Sequence, residues 1–205
     1  MEPVINYNTI KQPAKGFYKE KGSKFIALVM PVNSEDDIKK RLKQIKKEYY
    51  DARHHCYAYR INPENPKYRS SDDGEPSGTA GKPILNQIFS RELYNVLVVV
   101  VRYFGGTKLG VSGLIKAYKE ATLDSFNNAE IINENVVVHI RISFPYSLMK
   151  TVMKIINDYG LKIIEQNFSD KVEIVIEVEK KQKKIVESQF EKIFKLDIKD
   201  LINNN

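Results

Sequence analysis

Apolar residues recur along the first third of the chain with the spacings of strands and of one helix. Residues 16–32 alternate on either side of a Lys-Gly-Ser turn and predict two strands. Residues 34–48 return an apolar side chain every three or four positions behind Ser34, a suitable N-cap, and predict a helix. Residues 53–61 (RHHCYAYRI) alternate and are rich in aromatic rings, which predicts a third strand. Residues 1–14 show neither period and predict a partly ordered lead-in.

The stretch from residue 71 to residue 121 is the centre of this pattern. An apolar strand is predicted at residues 94–102. One helix is predicted before it, at residues 79–92, and another after it, at residues 111–126. Two glycine-rich loops lie at residues 74–81 and 105–113. A strand without polar positions is typical of one buried on both faces. Thr79 or a neighbour is expected to cap the first of these helices. Residues 62–71, which contain two prolines, predict a loop.

Beyond a join at residues 130–135, the pattern follows the order β-α-β-β-α-β. The predicted elements are residues 136–144, 145–159, 161–168, 171–179, 180–194 and 196–198. Two helices on one face of an antiparallel sheet are the ferredoxin-like arrangement. We therefore predict an α+β protein of two domains, residues 1–132 and residues 133–205.

The charge of the chain is basic and unevenly distributed. Its 205 residues carry a net charge of +7. Residues 1–135 contain 21 Lys/Arg and 16 Asp/Glu, hence +5, while residues 136–205 contain 12 and 10, hence +2. This balance fits a polyanionic partner, because each phosphate contact releases counterions. Solvated lysines are the alternative, and we prefer it for the lysines of the helix at residues 34–48.

The sequence indicates neither a membrane protein nor a secreted one. The longest apolar run, residues 96–101, is too short to cross a bilayer, and the N-terminus lacks a signal-peptide pattern. The single cysteine, Cys56, fits a reducing compartment. A cytoplasmic protein without a membrane partner is expected.

The strand at residues 53–61 presents a histidine and two tyrosines on one face: His55, Tyr57 and Tyr59. Small Cys56 and Ala58 suit a buried opposite face, so the histidine and the tyrosines are expected to point outward. His54 lies on the face opposite to the neighbouring histidine, so the pair cannot bind one metal ion. Cys56 lacks the signature of an activated nucleophile and is expected to be an inert buried thiol.

The glycine-rich loops match neither common nucleotide-binding motif. Pro83 stands where a P-loop needs Ser or Thr, and the glycines of residues 105–113 do not have the G-x-G-x-x-G spacing. Glycine turns that open helices still suit anions, and Lys82, Arg102 and Lys108 would add positive charge. The alternative, that the glycines serve only tight turns and close packing, stays open.

An acidic group, Asp72, Asp73 and Glu75, lies in the first of these loops. Carboxylate oxygens suit Mg²⁺, whereas Asp and Gly-Glu-Pro are also common turn formers. No nucleophile with a partnered base can be identified from the sequence. We therefore predict no catalytic residue, no metal ligand and no cofactor, with only a weak indication of Mg²⁺.

Two stretches resemble the signature of the IMPACT family of YigZ type: residues 72–83 (DDGEPSGTAGKP) and residues 100–110 (VVRYFGGTKLG). Residues 21–25 (KGSKF) and 52–59 (ARHHCYAY) resemble it as well, within a likeness that spans residues 16–129. The resemblance implies an N-terminal α/β two-layer domain similar to a ribosomal-protein domain and to domain IV of elongation factor G. It also implies a C-terminal ferredoxin-like domain similar to domain V of that factor, and a role in translational control like that of eukaryotic relatives.

The leading functional hypothesis is a non-catalytic protein that binds nucleic acid or the ribosome, with RNA, ribosomes or translation factors as partners. The alternatives are an enzyme acting on a phosphorylated or peptide-like small molecule at the glycine-rich loops, and a protein-interaction adaptor. The candidate anion- or nucleic-acid-binding residues are Lys24, His55, Tyr57, Tyr59, Asp73, Glu75, Ser77, Gly78, Thr79, Lys82, Arg102, Gly105, Gly106 and Lys108.

Overall fold

The structure, a computed structural model, describes residues 4–201. These residues form two compact units, one of residues 7–134 and one of residues 135–201 together with residues 4–6. They contain eleven strands and five α-helices, and the strands form three separate sheets. The predicted α+β class is confirmed.

Residues 7–134 contain seven strands and three α-helices, counting the strands that extend one residue beyond these limits. In chain order they are β1 (Asn6–Ile10), β2 (Ala14–Glu20), β3 (Ser23–Pro31), α1 (Glu35–Glu48), β4 (His54–Ile61), β5 (Lys67–Ser71), α2 (Gly81–Ser90), β6 (Val96–Tyr103), α3 (Gly110–Asn127) and β7 (Ile131–Asn135). Five of the strands form an antiparallel sheet in the order β2-β3-β6-β4-β5. β6 lies at its centre, and residues 96–101 have no exposed surface.

Helices cover both faces of the five-stranded sheet, and this explains why β6 has no polar position before Arg102. On one face, Ile38 and Ile45 of α1 pack in a cluster with Val99 and Val101. On the other face, α2 and α3 share a second cluster with the remaining valines and with Phe25 of β3: Ile84, Ile88, Leu114, Tyr118, Val98 and Val100. Burial on both faces, expected from the apolar run, is confirmed. The two-layer arrangement implied by the family resemblance is wrong, because helices on both faces of the sheet make three layers.

The outward orientation expected for one face of β4 is wrong. His55 is 6% exposed, Tyr59 is 8% exposed and Tyr57 is half-buried, because α1 covers the face that they share. Cys56 and Ala58 are buried as expected, on the face under α2 and α3. Alternation along β4 identified the two faces correctly, but both of them are buried.

Three short strands occupy segments predicted as lead-in, loop and join. β1 and β7 pair with each other, and β5 pairs with β4 at the edge of the large sheet. Their sequences, NYNTI, IINEN and KYRSS, are polar and short. Pairing with a partner strand, rather than an apolar period of their own, determines that these segments are extended. The N-terminal lead-in is thus structured from Asn6, while residues 1–3 of that prediction lie outside the described residues.

Residues 135–201 contain a second sheet and two helices. The elements are β8 (Val137–Phe144), α4 (Met149–Asp158), β9 (Lys162–Phe168), β10 (Val172–Glu179), α5 (Lys183–Glu191) and β11 (Asp197–Leu201), with short 3₁₀ turns before each helix. The antiparallel sheet has the order β11-β8-β10-β9, and one apolar cluster joins it to both helices. In the described chain, 4–201, no helix is long and apolar enough to cross a membrane.

Candidate functional site

The first glycine-rich loop, between β5 and α2, is closed by the side chain of Asp72. Its carboxylate accepts hydrogen bonds at 2.8–2.9 Å from three backbone N–H groups, those of Gly78, Ala80 and Gly81. Burial alone would raise the pKa of Asp72, but these donors outweigh it and hold the pKa below its ordinary value. The predicted anion cradle at the start of α2 is therefore occupied by a carboxylate of the same chain.

The expected cap of α2 by Thr79 is not found. The Thr79 hydroxyl donates a hydrogen bond to the carbonyl oxygen of Pro76 at 2.7 Å, and the residue is buried. The Asp72 carboxylate, from an earlier part of the loop, instead accepts hydrogen bonds from the first backbone N–H groups of the helix. Neighbouring Ser77 and Lys82 are exposed, and Gly78 is half-buried.

Asp73 ties the same loop to β4 and α1. One carboxylate oxygen accepts from the His55 backbone N–H at 2.8 Å, and the other accepts from the Lys46 ammonium at 3.1 Å. Burial raises the pKa of Asp73, but the bonds to His55 and Lys46 outweigh it, so the pKa lies below its ordinary value. His54 adds a contact to the same residue, with Nδ1 2.9 Å from the carbonyl oxygen.

Glu75 is buried and paired in the layer beneath α3. Its Oε1 atom accepts from Arg102 Nη1 at 2.7 Å and from the Tyr118 hydroxyl at 2.8 Å. The exposed fractions of the Glu75 and Arg102 side chains are 3% and 8%. The Phe25 and Phe104 rings lie 5.5 and 5.7 Å from the guanidinium carbon, measured to the ring centroids. This arrangement locks β6, α3 and the first loop together.

Cys56 lies next to this ion pair and is not activated. Its Sγ atom is 2.9 Å from the Asp72 carbonyl oxygen and 3.3 Å from the Tyr118 hydroxyl. Burial raises the pKa of the thiol to about 12, so it stays protonated at neutral pH. Within residues 4–201 no group of three or more His, Cys, Asp or Glu side chains is arranged to hold a metal ion.

The second glycine-rich loop, between β6 and α3, packs against the β2–β3 turn. A Cβ atom on Gly105 would lie 1.9 Å from the Gly22 carbonyl carbon and 2.1 Å from the Ser23 nitrogen. The Gly105 N–H donates to the Ser23 hydroxyl at 3.1 Å. Gly106 has φ +87°, a conformation that favours glycine. Both glycines are thus required by the backbone, as the packing alternative expected.

Basic and aromatic side chains surround this contact on the outside of the protein. The Gly105 surface, as we call it, consists of exposed residues from the β2–β3 turn, the start of β3 and the second loop: Lys21, Lys24, Phe104, Gly105, Gly106, Thr107 and Lys108. Within residues 4–201, the three lysine ammonium groups have neither a hydrogen-bond nor an ion-pair partner.

The predicted site residues therefore fall into three places rather than one. Glu75 and Arg102 meet each other in the interior, whereas Asp73 bonds to the His55 backbone and to Lys46 of α1. His55, Tyr57 and Tyr59 lie on the opposite face of the sheet, beneath α1. The exposed candidates are Lys24, Ser77, Lys82, Gly105, Gly106 and Lys108.

Sequence reasoning missed the parts played by Tyr118, Lys46 and Phe104. Tyr118 lies among the buried apolar residues of α3, and a hydroxyl on such an apolar face is a signal of a buried polar partner. Lys46 gives no such signal, because its partner is contributed by another segment. Phe104 follows a buried strand but is 54% exposed, which only the structure reveals.

Comparisons with known proteins agree on one relationship. A family model, the Impact N-terminal domain, matches residues 21–126. IMPACT family member YvyE of Bacillus subtilis is 32% identical over 177 residues, which cover 86% of this chain and 82% of that protein. IMPACT family member YigZ of Escherichia coli is 41% identical over 100 residues, or 48% of this chain and 49% of that protein. A crystal structure of a hypothetical protein shares the fold, with a TM-score of 0.76 and 23% identity over 98% of this chain and 100% of its own.

Proposed function

The chain belongs to the IMPACT family, and on that premise we propose that it acts in translational control as a non-catalytic protein that binds RNA, free or within the ribosome. The observation that carries the proposal is the Gly105 surface, where three exposed, unpaired lysines lie on a glycine-rich loop and on the β2–β3 segment that contacts it. Unpaired lysines on an exposed surface bind phosphates with release of counterions. A cytoplasmic location follows from this role and agrees with a single reduced cysteine.

The acidic residues of the family signature support a role without catalysis. Asp72, Asp73 and Glu75 each accept hydrogen bonds from partners within the chain, so none is a free general base. Cys56 is protonated and buried, so it is not a nucleophile.

We further propose that both units are similar to translation-factor modules. The family resemblance suggests domain IV of elongation factor G for the N-terminal unit. For residues 135–201, the element order β-α-β-β-α-β and the strand order β11-β8-β10-β9 support a ferredoxin-like domain. Similarity of fold supports a partner in the translation machinery. It does not identify the binding residues, which need a separate test.

The direct test is RNA binding and ribosome co-sedimentation over a range of salt concentrations. Lys108→Glu is expected to weaken binding and to lower the slope of log K against log salt by about one, because one phosphate contact is lost. Lys43→Glu, the same charge change on the exposed side of α1, is the matched control and is expected to bind like the unmodified protein. Failure to bind RNA, DNA and ribosomes even at low salt would contradict the proposal.

A second candidate, a protein-interaction adaptor, is favoured by one observation. Asp72, Asp73, Glu75 and Thr79 of the first signature stretch are buried or half-buried and bonded to groups of the same chain, as expected if that stretch is structural. The two candidates make different predictions for the second loop. A correctly folded protein that never binds nucleic acid or ribosomes, and whose cellular role survives Lys108→Glu, would favour the adaptor.

A further inference from the structure

Phe104 is an aromatic side chain held in an exposed position. It follows β6 directly and is 54% exposed, although residues 96–102 of that strand are buried. Its ring lies against the Arg102 guanidinium, whose carbon is 5.7 Å from the ring centroid. Arg102 is itself fixed by Glu75 at 2.7 Å. One side of the Phe104 ring therefore rests on an immobile group.

The lysines of the Gly105 surface lie on the segments that meet at the second loop. Lys24 is the strand partner of Tyr103, the residue before Phe104, and alternation along β3 places its side chain on the sheet face opposite to that of Arg102. Lys21 precedes Gly22, whose backbone touches Gly105. Lys108 follows four residues after Phe104 on the exposed loop. Gly105 and Gly106, which have no side chains, leave space in which another backbone can approach.

We infer that the Gly105 surface is a site for single-stranded RNA, in which Phe104 stacks on an unpaired base while the lysines contact phosphates. The inference rests on the proposed function and specifies its ligand. A protein side chain can stack only on a base that is not already stacked within a duplex, so an exposed ring among unpaired lysines favours a single strand. A duplex would contact the lysines and leave the ring without a role.

The test measures the affinity of the full chain for a fluorescein-labelled twelve-nucleotide oligouridylate and for a duplex RNA of equal length. Phe104→Ala is expected to weaken oligouridylate binding about ten-fold or more, the effect of losing one stacked base. Phe104→Leu keeps an apolar group over Arg102 and is expected to show a similar loss. Phe104→Tyr keeps the ring and is expected to bind like the unmodified protein.

Phe17→Ala is the matched control, because Phe17 is a phenylalanine of similar exposure, 59%, in the same unit. It lies in a groove with Arg91, Glu120 and Asp124, where two carboxylates outnumber the one cation. Its replacement is expected to leave oligouridylate binding unchanged. Thermal unfolding of each variant shows that the fold is retained.

The outcomes separate this inference from the proposed function. Oligouridylate binding that is insensitive to both Phe104→Ala and Phe104→Leu would overturn the single-strand site and leave RNA binding intact. Duplex binding as tight as single-strand binding would also overturn the site. Absence of binding to every RNA and to ribosomes would overturn both the single-strand site and the proposed function. A protein partner that alone responds to Phe104→Ala would overturn the site in favour of the adaptor.

Discussion

At the scale of single residues, the buried ion pair between Glu75 and Arg102 is the main polar interaction beneath the first signature loop. Both side chains are withdrawn from water, and the Tyr118 hydroxyl completes the carboxylate's hydrogen bonds. The removal of one member of such a pair leaves the other charge buried without compensation. The stability of the protein should therefore depend on this contact more than on any surface ion pair.

Glu75→Gln is expected to lower the free energy of unfolding by about 3–5 kcal/mol, because Arg102 loses its counter-charge. Tyr118→Phe, which keeps the ion pair and removes the hydroxyl's bond to Glu75 and its weak contact with the Cys56 thiol, is expected to cost about 1 kcal/mol. Glu48→Gln, in an exposed pair whose atoms are 3.8 Å apart, is the control and should change stability by less than about 0.5 kcal/mol. Urea unfolding at pH 7 measures all three, and a Glu75→Gln protein as stable as the original would contradict the argument.

A dependence of stability on pH follows from Asp72 and Asp73. The pKa of each carboxyl is lower in the folded protein than its ordinary value. Their contribution is therefore present above the unfolded pKa of about 4 and is lost as the pH falls through the lower folded pKa. We expect the free energy of unfolding to decrease below about pH 4, and to decrease less steeply in Asp72→Asn. Urea unfolding at several pH values tests this, and equal slopes for the two proteins would refute it.

At the scale of elements, the sequence predicted what depends on a long apolar period. The bounds of α1, α3 and β6 were predicted to within two residues, and the Ser34 hydroxyl accepts from the Asp37 N–H at 3.2 Å as its cap. β1, β5 and β7 were missed because their polar sequences become strands only through pairing with another segment. One face of β4 was predicted to be exposed, and this was wrong because α1 packs on that face. The sequence of β4 does not show that a helix covers it.

The candidate site was predicted in part for the same reason. The two glycine-rich loops were located correctly, whereas the sequence did not show that the candidate residues lie in separate places. A sequence shows that Asp72 and Asp73 are adjacent but not that one faces the amides of α2 and the other faces β4 and α1. The directions of these two side chains depend on the backbone conformation of the loop, which has a positive φ at Asp73. No local sequence pattern encodes that conformation.

The contact between the second loop and the β2–β3 turn gives a prediction at the same scale. Gly105→Ala is expected to destabilise the protein by about 1–3 kcal/mol and to weaken RNA binding, because the new methyl group overlaps backbone atoms of the turn. Gly113→Ala is the control, since its Cβ would meet only the Leu109 side chain at 3.0 Å and alanine favours a helix. Thermal unfolding compares the two, and equal stabilities would argue against the steric explanation.

At the scale of the whole molecule, the distinction is between a local site and a diffuse basic surface. The chain has a net charge of +7, but the Gly105 surface contributes only three lysines. If those three make the phosphate contacts, log K for oligouridylate should fall with log salt with a slope of about −2. A slope steeper than about −4 would indicate that many more cations take part. Affinities measured for the intact chain from low to moderate salt decide between the two.

The Asp72 carboxylate binds the backbone N–H groups at the start of α2, where an external anion would otherwise bind. This affects what can be concluded from a relative that shares the first signature stretch. The residues of the first signature stretch stabilise their own loop, so chains that share them are expected to share a shape without necessarily sharing a ligand. A search with the DDGEPSGTAGKP stretch would group proteins by architecture. A search by the residues that align with Lys21, Lys24, Phe104 and Lys108 would divide the same proteins by what they bind.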